Sequence, residues 1–310
     1  MIIGLISGII GLALIFFIAL YIIYRITFYS PSQKQNDFYN IPEGSGFNQQ
    51  KPKMLEHIDG LLKREYEELS IVSFDGLKLY GKYYHQTDGA PIYLGFHGYR
   101  GTDVRDLCGA ARIAESSGQN LLIVSQRAHG KSEGHTISFG VKERHDCLSW
   151  INYVVERFGS DVKICINGVS MGAATVLLAT GFSLPKNVFG VVADCPYSSP
   201  DAIIKEVLKG MKLPPKIFYP LVELSARIFG GFSPKSVSVI DAVKKSKVPI
   251  LLMHGESDGL VPVEMSAEIA KANPLVERHT FPGADHGISY MTDEQRYLSI
   301  VKDFVAKHVE

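Results

Sequence analysis

From residue 92 onward the chain alternates short, mostly apolar runs with stretches of helical spacing, and this alternation restricts its fold more than any other feature. The runs begin at residues 92, 121, 162, 188, 248 and 276, and the helical stretches cover 103–117, 142–158, 173–178 and 263–272. Strands that are apolar on both faces must be covered on both faces, and strands joined by helical crossovers run parallel. The pattern therefore predicts an α/β chain with a mostly parallel central sheet and helices on both sides. Ahead of it, residues 68–74 and 77–84 flank Asp75-Gly76, a hairpin signal that predicts an antiparallel pair at one sheet edge. The length of 310 residues and an apolar fraction of 46% suit one large domain with an appendage.

The appendage comes first. Residues 2–24 contain no charged side chain, and about 20 apolar residues at ~1.5 Å each span a bilayer core of roughly 30 Å. Tyr21, Tyr24 and Arg25 follow where interfacial anchors belong. A cleaved signal peptide is the competing reading, but it calls for a basic start, a shorter apolar core and a small-residue cleavage site, none of which is present. The expectation is a single-pass anchor at 1–25, with membrane contact through that helix. Arg25 and Lys34 lie after the run, so the positive-inside rule leans towards placing the globular part in the cytoplasm. Gly4, Gly8 and Gly11 offer a small-residue face on which two copies of the helix can pack as a homodimer.

Turn-rich composition around Ser30-Pro31-Ser32 and Pro42-Glu43-Gly44-Ser45-Gly46 predicts a linker over 26–53. A globular domain then runs over 54–310, starting with a surface helix. One interval breaks the alternation: residues 194–247 are too long for a single crossover and contain Pro200, Pro214, Pro215, Pro220 and Pro234. About 196–245 reads as a helical insertion that either forms a lid over the carboxyl edge of the sheet, where α/β sheets bind ligands, or packs without such a role.

Lys+Arg and Asp+Glu both number 32, so no basic stripe is available for nucleic acid. Cys108, Cys147, Cys165 and Cys195 form no CxxC pair and show no metal-ligand spacing with histidine.

The chemistry concentrates at Gly168-Val169-Ser170-Met171-Gly172, a G-x-S-x-G placed between a strand and a helical run. That context is what a nucleophile elbow requires. A serine hydroxyl needs a base, and the base needs an orienting acid. The loop after the 248 run offers Asp258 as the acid, and the loop after the 276 run offers His286 as the base. Asp194 and Glu256 are alternative acids, while Asp285 suits a bond to the loop backbone. The oxyanion needs about two backbone amides, assigned to Met171 and to Tyr99 in the His97-Gly98-Tyr99 loop. Their side chains also stand where they can wall an acyl pocket. His97 is expected to brace its loop, and His254 to be structural.

With Phe96-His97-Gly98-Tyr99, Arg127-Ala128-His129-Gly130, Gly168 to Gly172, Asp258 with Val261-Pro262, and Asp285-His286, the chain from about residue 68 resembles the α/β-hydrolase superfamily. Within it the sequence is similar to bacterial membrane-anchored hydrolases of the serine aminopeptidase-like and monoacylglycerol-lipase-like kinds. Gln126 stands where many members carry Asp. The resemblance implies acyl transfer through an acyl-serine, with no metal or organic cofactor. The leading functional expectation is a serine hydrolase of hydrophobic or lipid-derived carboxylic esters. The alternatives are a peptidase or amidase with the same residues, and a non-catalytic binding scaffold.

Overall fold

Strands that are buried on both faces need two covering layers, and the chain supplies them. The computed structural model describes residues 2–31 and 37–309; Lys34, used above for orientation, lies outside them. The strands are β1 (Glu67–Val72), β2 (Lys78–Tyr84), β3 (Ile92–Phe96), β4 (Asn120–Ser125), β5 (Ile164–Val169), β6 (Val188–Asp194), β7 (Ile250–Gly255) and β8 (Val276–Phe281). They form one sheet in the order β1-β2-β4-β3-β5-β6-β7-β8. β1 pairs antiparallel with β2, and β2 with β4, whereas the pairs from β4 through β8 are parallel. The fold expected from the alternation is the one observed. β3, β4, β6 and β7 are buried at every residue, but β1 alternates as an edge strand open to water on one face does.

The helices are α1 (Ile2–Thr27), α2 (Ser45–Leu62), α3 (Asp103–Asp106), α4 (Ala110–Ser116), α5 (Glu143–Phe158), α6 (Met171–Ala179), α7 (Pro200–Gly210), α8 (Pro215–Ser225), α9 (Val239–Lys245), α10 (Val263–Ala270), α11 (Ser289–Thr292) and α12 (Glu294–His308). One face of the sheet packs against α5, α6, α9 and α10 together with α7 and α8. The opposite face packs against α2, α3, α4, α11 and α12.

Three local readings change. The stretch 103–117 divides into α3 and α4 at Gly109, where a Cβ would fall 2.4 Å from the Tyr290 ring. α2 starts at Ser45 rather than near residue 54 and runs through Pro52. An internal proline loses one helical hydrogen bond and crowds the preceding turn, which is why the sequence suggests a later start. Phe47 ahead of the proline and Met54, Ile58 and Leu61 after it pack on one core, which holds the longer helix in place. The segment read as linker therefore contains part of a core-packed helix.

α1 has two parts. From Ile6 to about Phe17 its side chains lie open, and Ile6–Thr27 is long and apolar enough to cross a membrane. Leu20, Tyr24 and Phe28 instead enter the protein. Phe28 sets its ring edge-on to Phe139 and Phe232, and its carbonyl accepts from the Ile137 amide at 2.8 Å. The Tyr24 hydroxyl bonds Thr136 at 2.7 Å. The residues just after Arg25 are thus built into the domain. Phe28→Ala is expected to cost about 3–5 kcal/mol, as truncation of a buried phenylalanine does. Phe16→Ala, on the open part of α1, should stay within about 0.5 kcal/mol. Urea unfolding of the full chain in detergent measures both.

Candidate active site

The turn from β5 into α6 is possible only because two side chains are missing. A Cβ on Gly168 would lie 2.2 Å from the backbone of Gly172, and one on Gly172 would lie 2.0 Å from the Phe96 carbonyl. Between them Ser170 takes φ 56° and ψ −116°, a conformation that costs a non-glycine residue of order 1–3 kcal/mol. The Ser170 amide donates to the Asp194 carbonyl at 2.9 Å, which pins the turn to the end of β6. The hydroxyl is thereby presented at the carboxyl edge of the sheet, beside the N-terminus of α6.

The loops after β7 and β8 meet it there. Ser170 Oγ lies 2.8 Å from His286 Nε2, and His286 Nδ1 lies 2.8 Å from Asp258 Oδ2. The other Asp258 oxygen accepts from the amides of Leu260 and Val261 at 2.9 and 2.8 Å. His254, fully buried, brings Nε2 to 3.2 Å from Asp258 Oδ2 and 3.1 Å from the Val261 carbonyl. Burial alone would push the Asp258 carboxyl up. Hydrogen bonds from His254 and His286 and from the loop backbone outweigh it and hold the group well below the usual carboxylate range. His254 is a contact that sequence order hid: it stands near the end of β7, four positions before Asp258, and only the fold turns its ring onto that carboxylate.

The alternative acids go elsewhere. Glu256 accepts from the Thr280 hydroxyl at 2.7 Å. Asp285 accepts from the amides of His286 and Gly259 at 2.7 and 3.1 Å, tying the two loops together. Asp194 is bonded by the Ser289 hydroxyl at 3.0 Å, and burial pushes its carboxyl up to about 6. Cys195, next in the chain at φ 49°, places its sulfur within 4.8 Å of ligand atoms of Asp258 and His286. Burial raises its thiol well above the ordinary value, so it sits there as a neutral thiol.

The loop after β3 closes the other side. A Cβ placed on Gly98 would lie 3.5 Å from Ser170 Cβ. Among the described residues neither the Tyr99 nor the Met171 amide finds a protein acceptor; Met171 opens α6, where the first amides have no intrahelical partner. Two neutral imidazoles hold this loop. His97 Nδ1–H donates to the Gly98 carbonyl at 2.8 Å while Nε2 accepts from the Gln126 amide at 3.0 Å. His129 Nδ1–H donates to the Arg127 carbonyl at 2.8 Å while Nε2 accepts from the Arg100 amide at 3.1 Å. Gln126 adds a side-chain bond to the His97 carbonyl. The same loop grips the end of α1: the Tyr99 hydroxyl donates to the Thr27 carbonyl at 2.7 Å, and Arg100 donates to the carbonyls of Ile26 and Tyr29.

A cavity of about 430 Å³ opens beside Ser170 and His286 and runs along the α2 face of the sheet. Phe47, Met54, Leu107, Ile113, Val192 and Met291 make much of its wall. Of the two side chains expected there, Tyr99 borders it, whereas Met171 turns into the core on the opposite face. The 196–245 insertion contributes no residue to the lining. Its buried apolar side chains pack on the other side of the sheet and against α1. The cover comes instead from the segment before α2 and from α2 itself, through Pro42, Glu43, Phe47 and Met54. Gly46 allows that approach, since a Cβ there would lie 2.6 Å from Asp285 Cβ.

The chain is similar to several known proteins. Residues 231–310, which include Asp258 and His286, match the prolyl oligopeptidase family. The chain is 28% identical over 191 residues to the Bacillus subtilis protein YqkD, covering 61% of this chain and 62% of that one. It is 25% identical over 274 residues to protein bem46 of Schizosaccharomyces pombe, covering 86% and 83%. An esterase of Pyrococcus furiosus superposes with a TM-score of 0.67 at 25% identity, covering 81% of this chain and 94% of the esterase. An elbow serine between β5 and α6, loops after β7 and β8 converging on it, and this agreement over most of the length together place the chain in the α/β-hydrolase superfamily.

Proposed function

We propose that this hydrolase cleaves carboxylic esters of hydrophobic acids through an acyl-Ser170 intermediate. The observation that carries the reading is the unbroken relay from Ser170 Oγ through His286 to Asp258, with 2.8 Å at each step, at the mouth of a largely apolar cavity. In this scheme Ser170 Oγ attacks the ester carbonyl carbon while its proton passes to His286 Nε2. Asp258 stays ionised and stabilises the imidazolium. The carbonyl oxygen gains the negative charge between the amides of Tyr99 and Met171. The imidazolium then protonates the departing alcohol as the C–O bond breaks. Water repeats the attack on the acyl-serine with His286 as base, which releases the acid and restores the serine. The esterase among the structural relatives agrees with an ester substrate. The prolyl oligopeptidase match over the Asp258 and His286 loops keeps a peptidase reading open, with the same residues in the same roles.

The test uses the full chain in detergent, with a fluorophosphonate probe, p-nitrophenyl esters of graded chain length and aminoacyl anilides. Ester turnover with labelling at Ser170 is the expected result; turnover of anilides alone would replace the ester reading by the peptidase. Ser170→Ala should remove labelling, and Asp258→Asn should lower kcat by up to ~10⁴, because the imidazole is then held in the wrong tautomer. Labelling and full turnover in Ser170→Ala would sink the scheme. The wall of the cavity sets the acyl group, so Ile113→Phe is expected to move the preferred ester to a shorter chain without loss on the shortest ones.

The buried imidazole behind the Tyr99 loop carries a pH signature. Burial holds His129 well below the ordinary histidine value, so the folded protein keeps it neutral while the unfolded chain takes up a proton near pH 6.5. Its contribution to stability is present above that pH and is lost as the pH falls below it, by up to about 1.4 kcal/mol per pH unit. His129→Gln retains an acceptor for the Arg100 amide and does not titrate. Thermal unfolding between pH 7 and 5 should show a steeper loss in the wild type than in the variant; parallel curves would show that His129 stays uncharged in both states or charges in both.

A further inference from the structure

The insertion presents a surface that the hydrolase reading leaves without a role. α8 buries Tyr219, Val222 and Ser225 on its inner side. On its outer side Ile217 is 64% exposed, Leu224 is partly exposed, and Ile228 in the π-helical turn that continues the helix is 46% exposed. Positions 217, 224 and 228 fall on one stripe at helical spacing. Met211, 61% exposed in the turn before α8, and Val207 of α7 add to the apolar surface of the insertion. Single exposed apolar side chains are ordinary, but a stripe of them marks a contact surface.

The stripe lies beside α1. Phe229 sets its ring 5.0 Å from that of Phe17, 5.2 Å from Tyr21 and 5.7 Å from Tyr24, and α8 packs along the same helix. Phe17 and Tyr24 are seven residues apart, which is ~10 Å along a helix. If α1 crosses a bilayer, α8 is held at the level of its last turns, matching the roughly 5–10 Å depth at which interfacial helices bury their apolar side. Charge agrees with that placement. Between residues 205 and 235 basic side chains outnumber acidic ones six to two. Lys212 and Lys216 are exposed and have no ion-pair partner among the described residues, whereas Arg227 and Lys235 both pair with Glu223. Lysines flanking an exposed apolar stripe suit anionic lipid headgroups.

We propose that α8 and its flanking turns are a second membrane contact, seated in the interface of a bilayer bearing anionic lipids, with α1 as the spanning element. The proposal rests on the reading of α1 as an anchor, and its test separates the two. The chain has one tryptophan, Trp150, buried in the core, so the wild type supplies a baseline. Full-length protein carrying Leu224→Trp is reconstituted into phosphatidylcholine vesicles containing phosphatidylglycerol, with or without brominated acyl chains. Emission from the new tryptophan should fall roughly twofold or more with bromolipid, as for a ring buried at interfacial depth, while the wild type is unaffected. Adding Lys212→Glu and Lys216→Glu should reduce that quenching in the anionic vesicles and leave it unchanged in phosphatidylcholine alone. A chain that does not float with vesicles overturns the anchor and the proposal with it. A chain that floats but keeps unquenched Leu224→Trp emission leaves the anchor standing and overturns the second contact. Unquenched emission that becomes shielded from acrylamide as protein concentration rises assigns the stripe to a second copy of the chain, and also overturns it.

Discussion

Everything at the candidate site depends on how closely the β5–α6 turn approaches β3. The backbone of Gly172 sits where a single Cβ would strike the Phe96 carbonyl, and Gly168 lies equally close to Gly172. That contact sets the start of α6 against the end of the neighbouring strand and forces Ser170 to positive φ. A strained serine persists only when its surroundings over-determine it. Here the parallel pairing of β5 with β3 and β6, and the bond from the Ser170 amide to Asp194, supply that determination. The hydroxyl points out of the sheet as a consequence of packing beneath it.

The groups around Ser170 are held by loops that several buried hydrogen bonds tie down. Asp258 receives two backbone amides and two imidazoles, and Asp285, next to His286, ties their loop to the Asp258 loop through the Gly259 amide. On the other side His97 and His129 use both ring nitrogens on backbone atoms, which leaves the Tyr99 amide free of the loop's own bonding. An oxyanion donor must be in position before charge develops. In the proposed scheme, a loop already held by these bonds meets that need without reorganisation. The same loop holds the last carbonyls of α1 through Tyr99 and Arg100, so the apolar N-terminal helix and the site share a structural element.

The division of the two sheet faces explains the rest. On one face α2 and the segment before it cover the cavity; on the other the insertion packs on α1 and turns a stripe outward. Cover over the pocket and contact with α1 are thus assigned to different parts of the chain. The proposed substrates, esters of hydrophobic acids, and the proposed membrane surface are consistent with one location for the enzyme, although they rest on opposite faces.

Local pattern alone settled a great deal: uninterrupted apolar strands separated by helical spacing specify a covered parallel sheet, and Asp75-Gly76 specifies the edge hairpin. Gly168 and Gly172 mark the elbow because only glycine fits there, and the positions of Ser170, Asp258 and His286 after β5, β7 and β8 follow from that same alternation. What tertiary structure decided depends on distant partners. Pro52 argues against helix by its own chemistry, yet α2 runs through it because Phe47 on one side and Met54, Ile58 and Leu61 on the other share a core. The 196–245 helices read as a lid by length, but their apolar faces find α1, almost two hundred residues earlier in the chain. His254 and Asp194 both stand at strand ends near the site. One touches the acid and the other turns to Ser289, a choice made by side-chain direction in a folded loop, which residue order does not encode.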